Sequence, residues 1–232
     1  AFKKALEQNN IYYEMQKTKG GAGPARRQGI KQAETLQGVK VIGQTEPEKI
    51  PIVSNCIKIV SLPILKNEAD ITIPKRDEES FLTYPKLQAQ QEQKANKLIN
   101  DILRAHRLIK KDDPDFDIYW GQRFFANKPE ITELFKTTYQ YRKDNTALDK
   151  KVNVEMYSNH LFFPVIEALY LGLRVISVPV PYTHPHSQTE FEEGKPDFDA
   201  KRYDQRRTII TEFVNYIRYL ENSPKTRLSK TE

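Results

Sequence analysis

Cysteine is nearly missing from these 232 residues: Cys56 stands alone, so no disulfide can form within the chain. A lone thiol of this kind fits a reducing compartment and a buried packing role. Long apolar runs are missing too. No stretch approaches the ~20 consecutive apolar residues of a membrane-spanning helix, and no basic-then-apolar signal segment opens the chain. The expectation is a soluble, cytoplasmic protein without a transmembrane segment. Internal repeats are absent, which excludes solenoid architectures. Met is not the first residue; AFKKALEQ reads as the middle of a helix, so the chain is expected to begin inside a domain.

Apolar residues make up 38% of the chain and charged residues 29%, with 12 Tyr and 11 Phe. That is polar for a folded protein but too aromatic for a disordered one. The net charge of +6 suits a polyanionic partner: nucleic acid, an anionic surface or the diphosphate of a nucleotide. The cations cluster on no single helix face and no nucleic-acid-binding motif is present, so no nucleic acid is expected as partner. A basic nucleic-acid-binding protein and a catalytically inactive scaffold are the alternative readings.

The hydrophobic pattern alternates between strands and helices. VKVIG (39–43), ADITIP (69–74) and VISVPVPY (175–182) read as strands. Helices are expected from about Pro24 to Leu36 and over 52–66, 84–110, 161–171 and 208–220, with Gly172 as a helix stop. Residues 183–207 read as a polar loop. This predicts one α/β domain over residues 1–222, with a mostly parallel sheet flanked by helices, and a tail at 223–232. Ligands of such sheets bind at the carboxyl ends of the strands.

Several segments carry candidate chemistry. Glu46 and Glu48 of TEPEK follow a buried strand, and two carboxylates at i, i+2 can face one hard divalent cation, Mg²⁺ or Mn²⁺. Equally, they form a solvated surface pair. The KGGAGPARR segment sets Lys19, Gly20, Gly21, Arg26 and Arg27 at the start of a helix, where backbone N–H groups and cations can cradle a phosphate. It has no Walker Lys-Ser/Thr ending, so it is not a P-loop; the bland alternative is an ordinary glycine loop. Of His184 and His186, around Pro185, one imidazole can complete a metal shell begun by the carboxylates; equally, both are surface or structural histidines. WGQRFF (120–125) offers the Arg123 guanidinium between aromatics, or a core turn with a stacked arginine.

Taken in order, these pieces resemble the GT-A glycosyltransferases of family 2. KGGAGPARRQGIKQA is similar to the family's donor-facing loop and helix, and TEPEK takes the place of its Asp-x-Asp motif. ADITIPKR resembles the strand that ends near the acceptor, and WGQRFF resembles a Gly-Pro-Arg-like turn with Gln122 in the proline's place. FFPVIEALYLGLRVISVPVPYTHP matches the late helix and strand. The resemblance implies transfer of a hexose from a nucleotide-diphosphate sugar to a hydroxyl acceptor. Lys19, Gly20, Gly21, Arg26, Arg27 and Glu46 would bind the donor. Glu46, Glu48 and His184 would hold the metal, and Arg76 and Glu79 would line the acceptor groove. Arg123 would add charge, and Glu155 would serve as general base.

Overall fold

The computed structural model describes residue 8 and residues 21–46, 49–139 and 158–222. In chain order the elements are α1 (Ala22–Ala33), β1 (Val41–Gln44), a π-helical turn (Ile52–Cys56) running into α2 (Ile57–Leu65), and β2 (Ile71–Arg76). Then come α3 (Glu78–Leu82), α4 (Lys86–Ala105), a 3₁₀ turn (Ile118–Trp120), β3 (Arg123–Ala126) and α5 (Pro129–Lys136). The described chain ends with α6 (Ser158–Leu161), α7 (Phe163–Tyr170), β4 (Val175–Val180), α8 (His186–Glu192) and α9 (Pro196–Asn222).

The class is α/β, as expected, but the sheet is small and mixed. Its order is β1-β3-β2-β4. β3 is antiparallel to both neighbours, while β2 and β4 pair in parallel. The mostly parallel sheet read from the sequence is therefore corrected in its pairing. WGQRFF is expected as a turn, yet Arg123–Ala126 forms a strand inserted between two that run the same way. With β3 reversed, β1, β2 and β4 still share one direction and their carboxyl ends lie along one edge. The β2–β3 ladder covers only Ile71 and Thr72; Pro74, two residues on, has no N–H with which to extend it.

Both faces of the central strands β2 and β3 are buried. On one, Thr72 Oγ1 donates to the Val60 carbonyl of α2 at 2.8 Å. On the other, Phe125 stacks on Phe135 of α5, with centroids 3.9 Å apart. A second apolar cluster joins Ile99 and Leu103 of α4 to Phe163 and Ile166 of α7 and to Phe213 and Ile217 of α9. α9 begins twelve residues earlier than the apolar periodicity indicates, at Pro196, because proline suits a first helical position and Asp197 and Asp199 complement the helix dipole there. Gly172 ends α7 in the left-handed region, at φ 75°, as its stop role requires.

Candidate functional site

At the carboxyl edge of the sheet, Arg76 ends β2 at 2% exposure. Its guanidinium is held by Asp117 in a two-pronged pair, Nε to Oδ2 at 2.6 Å and Nη2 to Oδ1 at 2.8 Å, and by Glu92 Oε2 from Nη1 at 2.7 Å. The Arg76 backbone N–H also donates to Asp117 Oδ2. Phe81, Tyr84 and Trp120 enclose the cation, with ring centroids 4.4, 4.8 and 4.9 Å from Cζ. Burial alone would lower the Arg76 pKa, but the two carboxylates outweigh it and hold the guanidinium charged, well above its ordinary value. Removing one partner from such a pair costs on the order of 3–5 kcal/mol, since it strands a buried charge.

The surrounding bonds place these acids accurately. Gln88 Nε2 donates to Glu92 Oε1 at 2.8 Å, one turn away on α4, and Asn96 Nδ2 donates to Asp117 Oδ1 at 2.5 Å. The loop after β4 folds back onto the α3–α4 turn. There the His184 N–H donates to Thr83 Oγ1 at 2.8 Å, and Thr189 Oγ1 donates to the Thr83 carbonyl at 2.8 Å. The His184 ring stacks on Tyr84 at 4.0 Å, and Tyr182 meets Trp120 edge-on at 4.7 Å. Burial, then the charges of Lys49, Arg76 and Arg202, push the His184 pKa down to about 3; the ring is neutral. Burial likewise raises Tyr84 well above the usual phenol range.

Beside this network lies a cavity of about 160 Å³, lined by Arg26, Glu46, Lys49, Trp120, Gln122 and Arg202 among others. Glu92 and Tyr84 also reach it. Its walls come from the turn after β1, the turn before β3 and helices α1, α4 and α9. Arg26 Nη2 lies 3.8 Å from Glu46 Oε1, and Arg202 Nη2 lies 3.4 Å from Glu192 Oε2.

Of the residues singled out in the sequence, Arg26 and Glu46 line the cavity. Gly21 is the exposed cap of α1, at φ 88°, and Arg27 is half-buried on that helix. Arg76 sits in the ion-pair network, and Glu79 is exposed in the first turn of α3. Arg123 is fully buried and donates to three backbone carbonyls, Leu161, Gln122 and Ile118. It ties the α6 segment to the turn before β3, and burial lowers its pKa to about 9. Lys19, Gly20, Glu48 and Glu155 lie outside the described residues. Among the described residues no three His, Cys, Asp or Glu side chains come together as a metal site. Glu46 is the proposed metal ligand that reaches the cavity; His184 stacks beneath Tyr84.

Sequence reasoning missed Glu92, Asp117, Lys49 and Arg202. One signal was present: Gln88, Glu92 and Asn100 fall in register with the buried Ala89, Ala95, Ile99 and Leu103 of α4, and polar residues on an apolar stripe mark a buried network. No signal placed Arg202, since its stretch reads as polar loop. Comparison with family models, curated proteins and solved structures finds no match to this chain.

Proposed function

We propose that the chain is the catalytic part of a nucleotide-sugar-dependent glycosyltransferase of the GT-A type, similar to family 2, which moves a hexose from a nucleotide-diphosphate sugar to a hydroxyl acceptor. The observation that supports this is the cavity at the shared carboxyl edge of β1, β2 and β4. Its rim carries Arg26, Lys49 and Arg202 and its floor carries Trp120, Gln122 and Glu92. In the transfer, the acceptor oxygen bonds to the anomeric carbon as the bond to the diphosphate breaks, and the electron pair leaves on the diphosphate. The acceptor proton passes to a carboxylate, the role given to Glu155. Rim cations are suited to the charge that develops on the leaving group.

A divalent ion fits this rim in part: the Glu46 carboxylate, 44% exposed, is a hard oxygen donor, and Glu48 two residues on would join it. Mg²⁺ or Mn²⁺, when bound there, would neutralise the diphosphate. Acceptor identity is left to a hydroxyl-bearing small molecule or sugar. No helix among the described residues is long and apolar enough to cross a membrane.

The test is thermal stability of the protein with UDP, GDP, ADP, CDP and dTDP, with and without Mn²⁺. A ligand at a hundredfold excess over its Kd adds about 2.7 kcal/mol. One nucleotide should raise the melting temperature, more so with Mn²⁺, and Glu46→Gln should erase the metal-dependent part without lowering the ligand-free melting point. In a transfer assay the same substitution, or Glu48→Ala, should cost on the order of 10²–10³ in rate. No shift with any nucleotide at millimolar concentration overturns the reading.

A further inference from the structure

The outer face of α2, and of the π-helical turn that leads into it, is as apolar as the inner one. Inward, Ile52, Cys56, Val60 and Ile64 are buried in the core cluster of the sheet. Outward, Ile50, Val53 and Leu65 are 65%, 54% and 58% exposed, and Ile57, Ile59 and Leu62 are exposed with them. A helix that is hydrophobic all round is ordinarily buried all round, and a contiguous apolar patch of this kind marks a surface that meets something else. At 1.5 Å per residue the stripe from Ile50 to Leu65 is about 24 Å long.

Charge narrows the partner. The 18 residues from Lys49 to Lys66 contain three lysines and neither Asp nor Glu. Besides the six apolar side chains, the exposed positions from 50 to 66 are Ser54, Asn55, Lys58 and Lys66, and neither of those lysines joins an ion pair among the described residues. At about 100° per residue, Lys58 falls between Leu65 and Leu62 around the helix, and Lys66 between Leu62 and Ile59, so both cations stand within the apolar stripe. Their stems can cover apolar surface while the ammonium groups reach outward.

A second copy of the chain fits this face badly. A two-fold contact sets the same patch of each partner against the other, which brings lysine to lysine with no acid in the stripe to separate them. A stable interface also draws on about 20–30 residues a side, against ten exposed ones here. An anionic lipid surface fits each feature: it accepts one convex helix lying in its plane, takes apolar side chains into the boundary between headgroups and acyl chains, and supplies the countercharge for lysines. We propose that the outer face of this helical segment, from Ile50 to Lys66, is a peripheral docking surface for an anionic lipid bilayer, with Lys58 and Lys66 at the headgroups and the apolar side chains entering the interface.

Flotation of the full chain with vesicles of phosphatidylcholine alone, and of phosphatidylcholine mixed with phosphatidylglycerol, tests this. The chain should bind the mixed vesicles only, and less as salt rises. Val53→Ser combined with Leu65→Ser should weaken binding about tenfold or more. Lys58→Gln combined with Lys66→Gln should weaken it about thirtyfold, and Lys58→Arg combined with Lys66→Arg should keep it. All four positions are exposed, so the melting temperatures of the variants should match wild type. Equal binding to both vesicle types, binding to neither, or undiminished binding by both weakening variants overturns the proposal. So does a dimer in lipid-free solution, seen by sedimentation equilibrium, that Val53→Ser combined with Leu65→Ser dissociates, since the face then belongs to a second copy. No nucleotide enters the test, so its outcome is separate from that of the transferase reading.

Discussion

His184 illustrates how burial decides the behaviour of a single residue. Its ring is 3% exposed, neither ring nitrogen has a protein partner, and Lys49, Arg76 and Arg202 oppose a positive charge on it. Because the folded ring resists protonation down to about pH 3, the unfolded chain takes up the proton first, near the ordinary 6.5. Acid therefore favours unfolding, and the stabilisation present above pH 6.5 is lost as the pH falls toward 3. Asp70 acts lower: hydrogen bonds from Arg174 hold its carboxyl below the usual range, so its contribution fades only on further acidification. His184→Phe should keep the stack on Tyr84, leave stability at pH 7 level or higher, and flatten the pH dependence between 6.5 and 4. The slope removed is at most about 1.4 kcal/mol per pH unit. Urea midpoints measured across that range check it; parallel curves for variant and wild type would show that the ring titrates normally.

At the scale of elements, the β1–β3 pairing depends on a missing side chain. Gly43 stands opposite Phe124 in the ladder, and a Cβ there would lie 2.6 Å from Phe124 Cε1. The backbone at Gly43 is outside the left-handed region, so space rather than conformation demands glycine. Gly43→Ala should cost about 1–3 kcal/mol by overpacking. A second change, Phe124→Leu, should return part of that cost by removing the ring it strikes. Denaturant midpoints of the two variants decide it: additive losses would mean the ring is not the obstacle. The same pairing carries Glu46 to the cavity two residues beyond β1, so Gly43→Ala also tests how firmly that carboxylate is placed.

Across the whole molecule, the last helix closes a core built from segments far apart in sequence. Phe213 is fully buried and meets Phe162 edge-on with centroids 6.5 Å apart, while Arg202 on the same helix reaches the cavity. Phe213→Ala should cost about 3–5 kcal/mol through the void it leaves, a drop of roughly 6–20 °C in melting temperature for a chain of this size. The proposed nucleotide site would loosen with it, since Arg202 lines the cavity from the same helix; scanning calorimetry reads the stability loss. The sequence by itself determined the elements whose local signals are strong. The apolar strands at 41–44, 71–76 and 175–180, the long helix at 86–105 and the stop at Gly172 follow from periodicity and backbone preference, which act over a few residues. Tertiary structure alone decided the reversal of β3, the extension of α9 and the pairing of Arg76 with Asp117, 41 residues away. It also decided that Arg123 serves backbone carbonyls while Trp120, Gln122 and Arg202 share a cavity. Strand direction and buried charge pairing depend on which distant groups meet and on water being excluded where they do, and neither is encoded in the spacing of neighbouring residues.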